Sequence, residues 1–147
     1  MDTFSHIEPV HAQVVIHPAE VTLVDANSTL LLICVSYGVP VPSMTWFKDG
    51  VLLTNSSDVT ITESVVVENQ SGTRFVRSTV KICGTGDADS GLYECRAENE
   101  AGLSSYSTNL TVILGGTLSL FPLVQLHAGV YFVTLFIFRE TTDCDPS

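Results

Sequence analysis

Positive charge is the first thing this chain lacks. Its 147 residues hold six Lys and Arg against 16 Asp and Glu, for a formal charge of −10. A surface that neutralises phosphates needs clustered cations, so no nucleic-acid partner is expected. A glycine-rich phosphate loop is also missing. The histidines His6, His11, His17 and His127 are scattered, with no cysteine or carboxylate at ligand spacing, so no metal site is expected. Ser90 follows Asp89 but has no histidine placed to activate it. Asp87 and Asp89 supply two carboxylates where calcium wants six or so oxygens, so a turn is the expected role. These absences argue against an enzyme, a cofactor and a small-molecule substrate. Met1 to Val10 contain no apolar leader-like run, which fits a fragment carrying an initiator Met. Residues 1–9 are expected to be disordered.

Charge is absent altogether from Ser107 to Phe138. The stretch 117–138 would be roughly 33 Å long as a helix, enough to cross a bilayer. Pro122, Gln125 and His127 weaken that case, and Arg139 is offset by Glu140. A glycolipid-anchor signal after Gly115-Gly116-Thr117 lacks the polar spacer. The third option is a poorly folded terminus in which Val130 to Phe138 is an aggregation hazard. Residues 139–147 form a short polar tail.

What the chain does hold is a series of short alternating runs separated by turn residues. Strands are expected over 14–17 and 20–24, split at Pro18, then over 29–36, 43–48, 51–53, 59–63, 75–82, 92–98 and 104–114. Asp49-Gly50 is a hairpin signal. Asp87 to Gly102 organises the set, because a turn rich in Asp and Gly leads into a strand with Tyr93, Cys95 and Ala97 on one face. Cys34 stands 61 residues before Cys95, and the only Trp, Trp46, lies between them.

On these residues the chain resembles the I-set immunoglobulin domains of adhesion molecules, receptor ectodomains and muscle scaffolds. The resemblance rests on Cys34, Gly38, Pro40, Pro42, Trp46-Phe47-Lys48-Asp49-Gly50, Asp89-x-Gly91-x-Tyr93-x-Cys95 and Ala97-x-Asn99-x-x-Gly102. It implies an all-β, two-sheet antiparallel Greek-key sandwich over residues 10–114, followed by the hydrophobic C-terminal segment. It also implies a Cys34–Cys95 bridge, a core Trp46, a Tyr93 corner and an Asp89 that fixes the preceding turn. Variable-type relatives pair that Asp with an Arg. Ser57-Asp58 occupies the corresponding place, so Asp89 is expected to bond backbone. Cys83, at a strand end, is expected to be a free thiol, with an intermolecular disulfide as the alternative.

Two faces are candidates for protein partners. Phe47, Glu94 and Arg96 point out of one sheet, and an aromatic beside an Arg is the sort of pair that anchors interfaces. The plainer role of Phe47 is to cover the sheet. Leu31, Ile33 and Val35 point out of the other sheet and invite cover by a domain, a second copy or the tail. Flanking stems of Phe75, Arg77 and Lys81 are the plainer cover. Asn27, Asn55, Asn69 and Asn109 head four Asn-x-Ser/Thr sequons, three in turns and one facing out of a strand. Sequons and the implied bridge favour a glycosylated cell-surface or secreted recognition module. By resemblance its partners are other immunoglobulin-type ectodomains or itself, and 117–138 would contact a membrane. The alternatives are an intracellular structural module of a muscle or cytoskeletal scaffold, or an ectodomain fragment of a receptor kinase or phosphatase.

Overall fold

The computed structural model describes residues 8–114. The expectations for 117–138 and 139–147, and for most of 1–9, fall outside them. Nine strands and one short helical turn follow each other: β1 Val10–Ile16, β2 Val21–Asp25, β3 Leu30–Val39, β4 Ser43–Lys48, β5 Val51–Leu52, β6 Val59–Val67, β7 Arg74–Ile82, a 3-10 turn at Asp87–Asp89, β8 Gly91–Asn99 and β9 Gly102–Ile113. They form a four-stranded sheet, β1-β3-β7-β6, and a five-stranded sheet, β2-β9-β8-β4-β5. Pairing is antiparallel throughout except that β2 runs parallel to β9. The segment around Pro18 thus carries the chain from one sheet to the other. Proline suits such a crossing because its missing N–H costs no ladder bond there.

Alternation decides which side chains face inward. Leu32 and Cys34 on β3, Met44 and Trp46 on β4, Val76, Ser78, Val80 and Ile82 on β7, and Leu110 and Val112 on β9 are buried between the sheets, as the pattern leads one to expect. Cys34 and Cys95 are bridged across this core, with their Cα atoms 6.6 Å apart. The Trp46 indole N–H donates to Ser78 Oγ of the opposite sheet at 2.9 Å, so the largest core residue also satisfies its one polar atom. The buried Ser36 hydroxyl has no such partner.

The two ends of the sandwich are each tied by one polar side chain. At one end Asn99 accepts from Ala12, Ala101 and Gly102 N–H and donates to the carbonyls of Val10 and Pro40. Gly38 lies against it. A Cβ there would stand 2.8 Å from Asn99 Nδ2 and 3.1 Å from Ala12 Cα, so only glycine allows this approach. At the other end the buried Thr85 hydroxyl donates to Asp25 O and accepts from Ser28 N–H. That locks the β2–β3 turn to the loop after β7. The β4–β5 hairpin has Asp49 at φ 50° and Gly50 at φ 81°, the left-handed pair that an Asp-Gly turn supplies.

Several expectations need correction. β1 starts at Val10 rather than at 14, and β3 runs on to Val39 rather than ending at 36. β6 continues to Val67 rather than stopping at 63, because its backbone pairs with β7 as far as Arg74 even though 64–67 do not alternate in polarity. Cys83 is not a free thiol. It is disulfide-bonded. Leu31, Ile33 and Val35 point outward and are half-buried, flanked in register by Lys81, Thr79 and Arg77.

Candidate recognition face

The outer face of the five-stranded sheet is set by β4, β8 and β9, which stack their outward positions in rows. Phe47 lies opposite Glu94, Thr45 opposite Arg96, and Glu94 opposite Ser107. Leu52 of β5 extends the Phe47 row to the sheet edge. The Arg96 guanidinium sits 4.2 Å from the Phe47 ring centroid and bonds Glu94 Oε1 at 2.8 Å. A cation over an aromatic face is drawn to the ring quadrupole, and the carboxylate fixes the fork in one orientation. The three residues named from sequence therefore form one contact group, with Phe47 half-buried beneath it. Such a group is a partly apolar surface whose Arg is held in place by its neighbours.

Behind this face the supports are rigid. The Tyr93 hydroxyl donates to Asp89 O at 2.7 Å, closing the corner. Asp89 Oδ2 accepts from Gly86 N–H at 2.8 Å, so this carboxylate does bond backbone. Burial, reinforced by the nearby Asp89 and Asp49 carboxylates, pushes the Tyr93 phenol well above its ordinary pKa. Lys48 reaches the Ala88 carbonyl and lies near the Tyr93 ring. Asp49 holds the start of β8 through Leu92 N–H at 2.9 Å.

The second candidate row, Leu31, Ile33 and Val35, lies on the opposite sheet and shares no contact group with Phe47 and Arg96. The sequon residues Asn27, Asn55, Asn69 and Asn109 are all exposed. Asn55 Oδ1 accepts from Ile61 N–H at 2.7 Å, which leaves its Nδ2 free. A stacked pair that the sequence reading missed, His17 on Tyr106 with centroids 3.6 Å apart, sits where the chain leaves β1. Neither residue type nor spacing announces it, since the two are 89 positions apart. Among the described residues no cluster of three or more His, Cys, Asp or Glu is arranged to hold a metal, and no helix is long and apolar enough to cross a membrane.

A disulfide across two sheets, a Trp packed in the same core and a tyrosine corner define a class of sandwich. The family profile described as "Immunoglobulin domain" matches residues 13–99, and the chain belongs to that family. It is 36% identical over 90 residues to a "Vascular endothelial growth factor receptor kdr-like" protein of Danio rerio, covering 61% of this chain and 6% of that protein. It is 35% identical over 99 residues to Hemicentin-2 of Mus musculus, covering 67% of this chain and 2% of that one. The chain thus spans a small part of these curated relatives. Among solved structures, titin domains Z1Z2 in complex with telethonin align at TM-score 0.61 and 23% identity, covering 74% of this chain and 49% of that chain. That likeness concerns the fold alone.

Proposed function

We propose that this immunoglobulin domain is a non-enzymatic recognition module of a cell-surface or secreted protein, binding a protein partner through the face centred on Phe47 and Arg96. The observation that carries the reading is the Arg96 guanidinium held over Phe47 and bonded to Glu94. Interfaces favour aromatic and Arg anchors, and a side chain already fixed loses less freedom on binding. A relative with "receptor" in its name supports a surface setting, as do four exposed sequon residues. The partners that fit are other immunoglobulin-type ectodomains or a second copy of this chain.

The test is binding and self-association of the secreted full chain and of its Phe47→Ala and Arg96→Ala variants, measured against a panel of such ectodomains. Loss of binding by tenfold or more in both variants, about 1.4 kcal/mol, is expected for anchor residues. Variants that fold and bind like the parent would sink this face as the interface. A structural module of an intracellular scaffold is the second reading, favoured by the likeness to titin domain M7, 27% identical and covering 72% of this chain at TM-score 0.56. It predicts that the chain carries no sugar when made in its own cells.

A further inference from the structure

The five-stranded face has a second half. Val21 on β2, Asn109 on β9 and Leu92 on β8 lie side by side in one row, with Leu23 and Thr111 in the next. Val21 is 57% exposed, Leu23 45% and Leu92 42%, so three large apolar side chains surround an exposed Asn in open solvent. Asn109 heads the sequon Asn109-Leu110-Thr111, and alternation places Asn109 and Thr111 on the same outward face while Leu110 is buried. Scattered exposed apolar residues are ordinary, but a contiguous group asks for a cover. Here the attachment point for a cover stands in the middle of the group.

We propose that an N-linked oligosaccharide on Asn109 covers Val21, Leu23 and Leu92 and so confines protein recognition to the Phe47–Arg96 half of the face. This rests on the extracellular reading above. The occupant is a carbohydrate of the ordinary N-linked class, whose pyranose rings present C–H surfaces to apolar side chains and hydroxyls to water. Its bond forms when the Asn109 carboxamide nitrogen displaces a lipid-linked diphosphate from the anomeric carbon of the donor sugar, with loss of one N–H proton. The row of Asn109 lies two positions along β8 from that of Glu94, about 7 Å at strand spacing, so the sugar leaves the recognition group open by lying toward Val21 and Leu23 on β2, away from β4.

The experiment is to secrete the full chain from a glycosylating host and map sugar at each sequon by glycopeptide mass. The parent is then compared with Thr111→Ala, which removes the sequon without touching Asn109, and with Thr111→Ser, which keeps it. The expected result is sugar on Asn109 in the parent and in Thr111→Ser. Thr111→Ala loses the mass of one glycan and gains binding of a hydrophobic dye. Adding Val21→Thr, Leu23→Thr and Leu92→Thr to Thr111→Ala should abolish that gain. Sugar on Asn27, Asn55 or Asn69 with Asn109 bare overturns the inference and leaves the surface reading standing. So does an occupied Asn109 whose removal leaves dye binding unchanged. A secreted chain bare at all four sequons overturns the inference and also removes the sequon support for the surface reading.

Discussion

The two outer faces rest on one shared interior and carry opposite chemistry. On the four-stranded sheet the outward rows of β3, β7 and β6 hold Leu31, Ile33, Val35, Tyr37, Phe75, Arg77, Thr79, Lys81, Thr60, Thr62, Ser64 and Val66, with no carboxylate among them. On the five-stranded sheet Arg96 lies between Glu94 and Glu98, over an aromatic ring. The first face half-buries its apolar row. The second leaves Val21, Leu23 and Leu92 open beside a sequon. The sandwich constrains only inward positions, so each outward row is free to be shaped by what meets it.

That contrast can be broken first at its common support. A chain with both Cys34→Ala and Cys95→Ala loses the bridge that serves both sheets, and unfolding in denaturant is expected to show a loss of about 4 kcal/mol. Equal retention of stability would mean that the sheets hold together without it. A one-sided cut is smaller. Ile33→Ala removes half-buried surface from the four-stranded face and should cost about 1 to 2 kcal/mol without changing binding at Phe47.

Tyr93 sharpens the other side. Its folded pKa is raised, so its contribution is full below the unfolded value of about 10 and is lost as pH climbs beyond it. Denaturation curves from neutral to alkaline pH should show falling stability for the parent. Tyr93→Phe should lose about 1 kcal/mol at neutral pH through the missing corner bond, and its stability should fall less steeply above pH 10. Arg96→Ala, by contrast, should move stability by no more than about 0.5 kcal/mol, because the guanidinium is surface-held, while the binding proposed for this face should fall tenfold or more. The smallest effect belongs to Ser36→Ala. Removing a buried hydroxyl with no partner should leave the melting temperature unchanged or raise it slightly.

The interior was largely legible because it depends on residue type and spacing. Cys34, Trp46, Tyr93 and Cys95 can be placed by counting, and the inward sets of β4 and β7 follow from period two. Phe47 and Arg96 could be put on one face in the same way. Their stacking could not, since it depends on the register of β4 against β8. The end ties were hidden for a similar reason. Asn99 and Thr85 act on backbone groups up to 89 and 60 residues away; Asn99 stands out only as part of the Ala97-x-Asn99-x-x-Gly102 motif, which does not name its bonding partners, and nothing near Thr85 marks it. β6 was read short because an edge strand is held by its backbone, whatever the polarity of Ser64 to Val67. The bonded state of Cys83 could not be read from its position at a strand end.

The parallel pairing of β2 with β9 has a mechanical consequence. The start of β1 lies at the Asn99 end of the sandwich and the end of β9 at the Thr85 end. Tension applied between residues near Val10 and Ile113 therefore acts along the strands. The ladder from Val21–Asn109 to Asp25–Ile113 is then sheared as a unit, instead of being unzipped one bond at a time. The expected outcome is a higher unfolding force when the domain is pulled between Val10 and Ile113 than when the same ladder is peeled from one end.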